Sequence, residues 1–136
     1  MTSTVFMSIK EIHMNRILCK IKNHEFRTKK PKKDFDYIIV YVPTPIKELK
    51  YVLKVKQPVA SPSKISIDGY GNKDFNNTNK EKYAYPIESV YEINKPIKLD
   101  NLKQKFNFTA PQSFAYGEKY QELLEYIDKV GITKLY

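Results

Sequence analysis

Residues 36–43, running Asp-Tyr-Ile-Ile-Val-Tyr-Val-Pro, form a nearly continuous β-branched and aromatic stretch, the pattern of a strand covered on both faces. Upstream, Thr4 to Ile9 predicts a short strand, and Ile12, Ile17 and Leu18 recur near helical spacing, so a first helix over Lys10 to Cys19 follows, ending near Lys20. Residues 47–56 alternate late in the run, with Leu53 and Val55 separated by Lys54, as in a strand with one wet face, reached through a hairpin at Pro43-Thr44-Pro45. Residues 57–80, with Pro58, Pro62, Asp68-Gly69-Tyr70-Gly71 and an asparagine-rich end, predict a long surface excursion holding one short helix. Residues 82–94 alternate again, with Ala84, Ile87, Val90, Tyr91 and Ile93 as inward positions, and Pro86 predicts an edge or a break. Leu99 to Leu102 suggests a helical turn and Ala110 to Phe114 a loop. Residues 117–130 form a closing helix with Tyr120, Leu123, Leu124, Ile127 and Val130 on one face and Gly131 as its cap.

Strands separated by excursions, with helices near both ends, predict an α+β, mostly β fold: a small β-barrel with peripheral helices. A doubly wound sheet is disfavoured, because no Gly-rich phosphate loop joins a strand to a helix. The 136 residues suit one domain, 1–136, and 41% hydrophobic content with seven Phe and eleven Tyr is core material rather than a disordered tail. No run approaches the roughly 20 apolar residues of a membrane-spanning helix. The first ten residues lack the pattern of an export signal, so no membrane association is expected. The single cysteine, Cys19, has no internal partner, and a cytoplasmic location is expected. Neither zinc-ligand spacing nor a cofactor motif occurs, so no metal and no cofactor are expected.

The charge changes this picture. Of 24 Lys and Arg against 15 Asp and Glu, nine basic and two acidic residues fall in the first 33, giving +7 of the net +9 to that quarter. A dense cationic patch attracts polyanions, which makes nucleic acid the first partner to consider, beside the plainer reading of a solvated, lysine-rich surface. Conventional catalysis has little to build on: His13 and His24 lie close together in sequence, and no Ser, Cys or metal constellation is visible. The segment Lys22-Asn23-His24-Glu25-Phe26-Arg27 is more informative. On a strand Glu25 and Arg27 share a face and Phe26 points the other way, which makes either an ion pair within a barrel or a carboxylate and guanidinium lining a nucleotide pocket.

The stretch Lys20 to Arg27 (KIKNHEFR) resembles the Gly-x-Lys-x-x-Glu-x-Arg signature of the ASCH domains of the PUA-like superfamily. Lys22, Glu25 and Arg27 match, and Lys20 replaces the glycine, where a lysine takes up positive φ only at a cost. Phe6 to Lys10 is similar to the family's opening strand, Tyr37 to Pro45 to a barrel strand, Tyr83 to Lys98 to a strand followed by a Pro-Ile segment, and Pro111-Gln112-Ser113-Phe114 to a further element, in the family's order. The resemblance implies a PUA-like barrel with a cleft beside the first helix. Lys22, Glu25 and Arg27 would project into it, with a hydroxyl from Ser8, a stacking ring from Tyr41 or, alternatively, Tyr41 in the core, and Lys20, Lys29 and Lys30 around it. The implied partner is RNA or a modified nucleotide, in keeping with unstacked-base recognition.

The same resemblance leaves a second class open. One similar branch hydrolyses acetylated cytidine with a lysine matched by Lys22, and ribonuclease activity is ascribed to other members; Lys22 and Glu25 are then the catalytic candidates. Glu25 stands where that branch carries its threonine nucleophile, and Asp68, Asp74 and Glu88 are candidates for its second carboxylate. A regulatory role is a third reading, without a helix-turn-helix to support it. Oligomeric state is not legible.

Overall fold

The computed structural model describes residues 3–136. In chain order they form β1 (Thr4–Ser8), α1 (Glu11–Leu18), β2 (His24–Arg27), β3 (Tyr37–Val42), β4 (Glu48–Val55), β5 (Val59–Ala60), α2 (Asn72–Asn76), β6 (Tyr83–Lys98), α3 (Leu99–Phe106), β7 (Ala115–Tyr116), α4 (Gln121–Val130) and β8 (Ile132–Lys134). The strands make one sheet in the order β2-β6-β4-β3-β1-β7, with β5 and β8 also on β6, curled into a half-barrel. β1 and β3 run parallel and the other pairs antiparallel. This is the mostly β, helix-flanked class that the alternation of the chain predicts.

Strict alternation sorts the sheet's side chains into two apolar layers. Val5, Met7, Ile38, Val40 and Leu53 face the concave side with Met14 and Ile17 of α1, Phe35 and Tyr85. Phe6, Ile39, Tyr41 and Val52 face the other side, beneath Leu102 of α3 and Leu123 and Ile127 of α4. β3 is therefore covered on both faces, as its unbroken apolar run demands. The second layer centres on Phe6, whose ring meets Phe108 and Tyr120 edge-on at 5.6 and 5.5 Å.

Three expectations need correction. The inward face of α1 is Met14 and Ile17, while Ile12 is 54% exposed. The closing helix starts with a 3-10 turn over Gly117–Tyr120 before α4 proper. Pro86 neither ends its strand nor puts it at an edge: β6 runs 16 residues through it. The proline sits where the β4 register slips between Lys54 and Val55, so its missing N–H removes no ladder bond there, and its carbonyl still accepts from the Lys56 N–H at 3.0 Å. The first part of β6 pairs with β2 and β5, and the rest with β4 and β8.

The end of α1 decides where β2 begins. Lys20 has φ 64; its N–H donates to the Ile17 carbonyl, and the Ile21 N–H to that of Arg16, both at 3.0 Å. This is a Schellman motif with its left-handed residue at Lys20, the position that favours glycine. Lys20→Gly is thus expected to raise stability by about 1 kcal/mol, read as a higher urea midpoint with an unchanged slope. A lower midpoint would mean that the interaction between Lys20 Nζ and the Tyr136 ring, 4.7 Å from its centroid, outweighs the backbone strain.

Candidate functional site

The turn at Lys20 delivers Lys22 and then β2 to the concave side of the half-barrel, where three charged residues meet. Glu25 Oε2 accepts from Arg27 Nε at 2.9 Å and lies 2.8 Å from Arg27 Nη2. Lys22 Nζ stands 3.2 Å from Glu25 Oε1. Glu25 and Arg27 share a face, as their spacing predicts, and Phe26 turns the other way to join Phe75, Ile65 and Ala84 in a small separate cluster. Lys22 and Glu25 are each 5% exposed, so they lie under neighbouring side chains rather than lining an open cleft.

Arg27 does more than pair with Glu25. Its Nη2 donates to the Ser8 carbonyl at 2.9 Å and its Nη1 to the Ser113 carbonyl at 3.2 Å. β2 lies at one end of the sheet order, and β1 lies toward the other. The guanidinium therefore spans the seam that the backbone ladder leaves unpaired, stapling β2 to β1 and to the 110–114 loop. Ser8 adds to the staple with its Oγ, which donates to the Pro111 carbonyl at 2.8 Å.

Unsatisfied atoms surround the cluster. Glu25 Oε1 has the Lys22 ammonium as its neighbour at 3.2 Å, and His13 Nδ1 and Tyr85 Oη are buried without partners. Burial first and the Lys22 charge second hold the His13 imidazole below its ordinary value, with Glu25 opposing. Tyr85, the cross-strand partner of Glu25, has its hydroxyl pushed up to about 12 by burial. Burial also lowers His24, whose Nδ1 lies 2.7 Å from Asn23 Oδ1. The same Asn23 receives Asn72 Nδ2 at 3.0 Å and donates to the Asp68 carbonyl at 2.8 Å, which docks the long excursion against β2.

Two histidines with lowered values make the unfolded chain bind more protons once pH falls below the ordinary 6.5 of imidazole. Stability is expected to fall as pH drops from about 6.5 toward 5, and His24→Gln to flatten that fall. Thermal melts across this range test it; a flat wild-type profile would show that neither histidine gains protons on unfolding.

The remaining sequence candidates scatter. Tyr41 is not beside the cluster: it is 4% exposed in the opposite apolar layer, its ring 6.1 Å from Phe108, because the run 37–42 alternates between two buried faces and position 41 falls on the far one. Glu88 is 3.9 Å from Lys54 on the paired stretch of β6 and β4, and Asp74 lies within α2. Lys33 pairs with Glu118. Lys29, Lys30 and Lys32 instead line a cavity of about 610 Å³ together with Tyr83, Phe114 and Tyr116. This groove and His13 are the features that sequence reasoning missed. Its aromatic rings come from β6, the 110–114 loop and β7, and only the Pro-Gln-Ser-Phe element gave a signal. Among the described residues no group of three or more His, Cys, Asp or Glu side chains could hold a metal, and no helix is long and apolar enough to cross a membrane.

Solved structures share this fold. A crystal structure of ASCH from Zymomonas mobilis superposes with a TM-score of 0.66 at 22% identity, over 90% of this chain and 94% of that one. A tyrosine-to-phenylalanine mutant of the same protein gives 0.68 at 21% identity, over 90% and 96%. The chain has the ASCH fold. No family model matches the sequence, and no curated protein matches it. The likeness to the ASCH structures is therefore one of backbone, and on that backbone Lys22, Glu25 and Arg27 stand together at the seam of the half-barrel.

Proposed function

We propose that the protein binds RNA at the face carrying Lys22, Glu25 and Arg27, taking an unstacked base beside α1. The observation that carries this reading is the buried cluster itself, in which Glu25 is held between Arg27 and Lys22 and its Oε1 has the Lys22 ammonium 3.2 Å away. A carboxylate has more lone pairs than these two cations occupy, and the exocyclic amine of a base is a donor of the right kind, as in the pairing of glutamate with cytosine. His13 Nδ1, buried without a partner and close enough to feel the charges of Lys22 and Glu25, offers a second polar atom to a base edge. The basic first quarter of the chain supplies the long-range attraction, and the ASCH fold of the solved neighbours supports the same direction.

Arg27 holds the cluster's shape, and the side chains that cover Lys22 and Glu25 move aside for the base to reach them. Glu25→Gln keeps the size of the side chain and removes its charge, so binding of a short fluorescent RNA is expected to weaken by about 1–3 kcal/mol, measured by anisotropy on samples with matched melting temperatures. Unchanged affinity would move the binding face elsewhere. Hydrolysis of acetylated cytidine is not expected: Glu25 stands at the nucleophile position of the amidohydrolases that the motif resembles, and its carboxylate is ion-paired from two sides. Turnover of that nucleoside by the purified protein, abolished in Lys22→Ala, would replace binding with catalysis.

A further inference from the structure

The groove beside the cluster extends the reading from a nucleotide to a strand. Lys29, Lys30 and Lys32 line it with Tyr83, Phe114 and Tyr116 around a volume of about 610 Å³, within the roughly 300–1,000 Å³ range of ligand clefts. Its one carboxylate, Glu81, already accepts from the Tyr83 hydroxyl, so the lysines leave the lining net positive. The aromatic part is braced. Phe114 meets Tyr116 edge-on at 5.2 Å between centroids, and Lys33 Nζ, held by Glu118, sits 5.2 Å over the Tyr116 ring. Tyr116 Oη also accepts from the Lys33 N–H at 3.2 Å. Tyr116 is thereby fixed, and Phe114 and Tyr83 are half-buried rings at the groove wall.

Two chain segments run directly from the charged cluster into this groove. Arg27 precedes Thr28 and Lys29, and Ser113, whose carbonyl accepts from Arg27, precedes Phe114. Tyr83 of the groove is also the cross-strand partner of Arg27, so groove and cluster adjoin. Lysines beside rigid aromatic rings are the combination that holds unpaired nucleic acid: cations follow the phosphates and rings stack on base faces. In a duplex those faces are hidden.

Resting on the RNA-binding reading above, we infer that the ligand is an unpaired strand of at least two nucleotides, with one base at the Glu25 cluster and its neighbour stacked on Phe114, the phosphates lying along Lys29, Lys30 and Lys32. A lone nucleoside or mononucleotide fills only half of this surface.

The chain contains no tryptophan, so Phe114→Trp gives a clean fluorescent reporter in the groove. Binding of hexacytidylate, whose bases carry the exocyclic amine that Glu25 accepts, is measured by anisotropy, with cytidine monophosphate and a blunt duplex as competitors, and by quenching in Phe114→Trp. The expected result is quenching on addition of the hexamer, affinity about tenfold weaker in Phe114→Leu, and competition by neither the mononucleotide nor the duplex at concentrations where the hexamer saturates. Hexamer binding without quenching and with an unaffected Phe114→Leu variant would overturn the groove while leaving the cluster reading intact, as would a mononucleotide or duplex that competes as well as the hexamer. Failure of the protein to bind any RNA would overturn both. An oligodeoxynucleotide that binds better than the hexamer would overturn the assignment to RNA.

Discussion

Glu25→Ala is expected to destabilise the fold by about 3–5 kcal/mol, the cost of stranding a buried charge by removing its partner. The variant leaves Lys22, 5% exposed, without its counter-ion, and strips Arg27 of the carboxylate that orients it toward the Ser8 and Ser113 carbonyls. Part of the loss should return when the stranded cation is removed as well: Lys22→Met combined with Glu25→Ala is expected to be more stable than Glu25→Ala alone, giving a coupling energy of the sort that touching residues show. Urea unfolding of the two single variants and the double variant measures this. Additive losses would mean that the two side chains do not sense each other, against the 3.2 Å separation.

Charge reversal in the groove is expected to weaken binding and change its salt dependence together. Lys29→Glu with Lys30→Glu inverts two exposed charges beside the aromatic wall. RNA affinity at low salt should fall by about tenfold or more, and the slope of log affinity against log salt should become shallower by about 0.7 for each phosphate that the protein no longer neutralises. Lys119→Glu, in the turn before α4, serves as a single-charge control outside the groove, to be compared with Lys29→Glu alone. If it weakens binding as much, the lysines act through net charge alone and not through their position.

The sequence made the strands legible wherever one periodicity dominated. The β3 run announced its two covered faces, and period two placed Glu25 and Arg27 together with Phe26 opposed. What remained hidden was long-range. Arg27 meets carbonyls 19 and 86 positions away, and no local pattern encodes a side chain bridging the open seam of a sheet. Tyr41 shows the limit of alternation: it divides a doubly buried strand into two faces without saying which lies near the charged cluster. Lys20 looked like a defect in the motif, yet the hydrogen bonds of the Schellman turn hold it at positive φ. Pro86 misled because its cost depends on whether its missing N–H faces a ladder, and a register slip in the partner strand removed that demand.

The long β6 strand also governs when this chain can fold as it leaves the ribosome. β2, β4 and β5 precede it by many residues, yet all three lean on it for hydrogen bonds. Until residues 83–98 have emerged, the nascent chain carries strands with open, unsatisfied edges, the kind of surface that recruits chaperones or pairs with neighbouring chains. Amides of β6 shared with these partners should then be among the last to exchange in the mature protein, since none of those pairs can open without it.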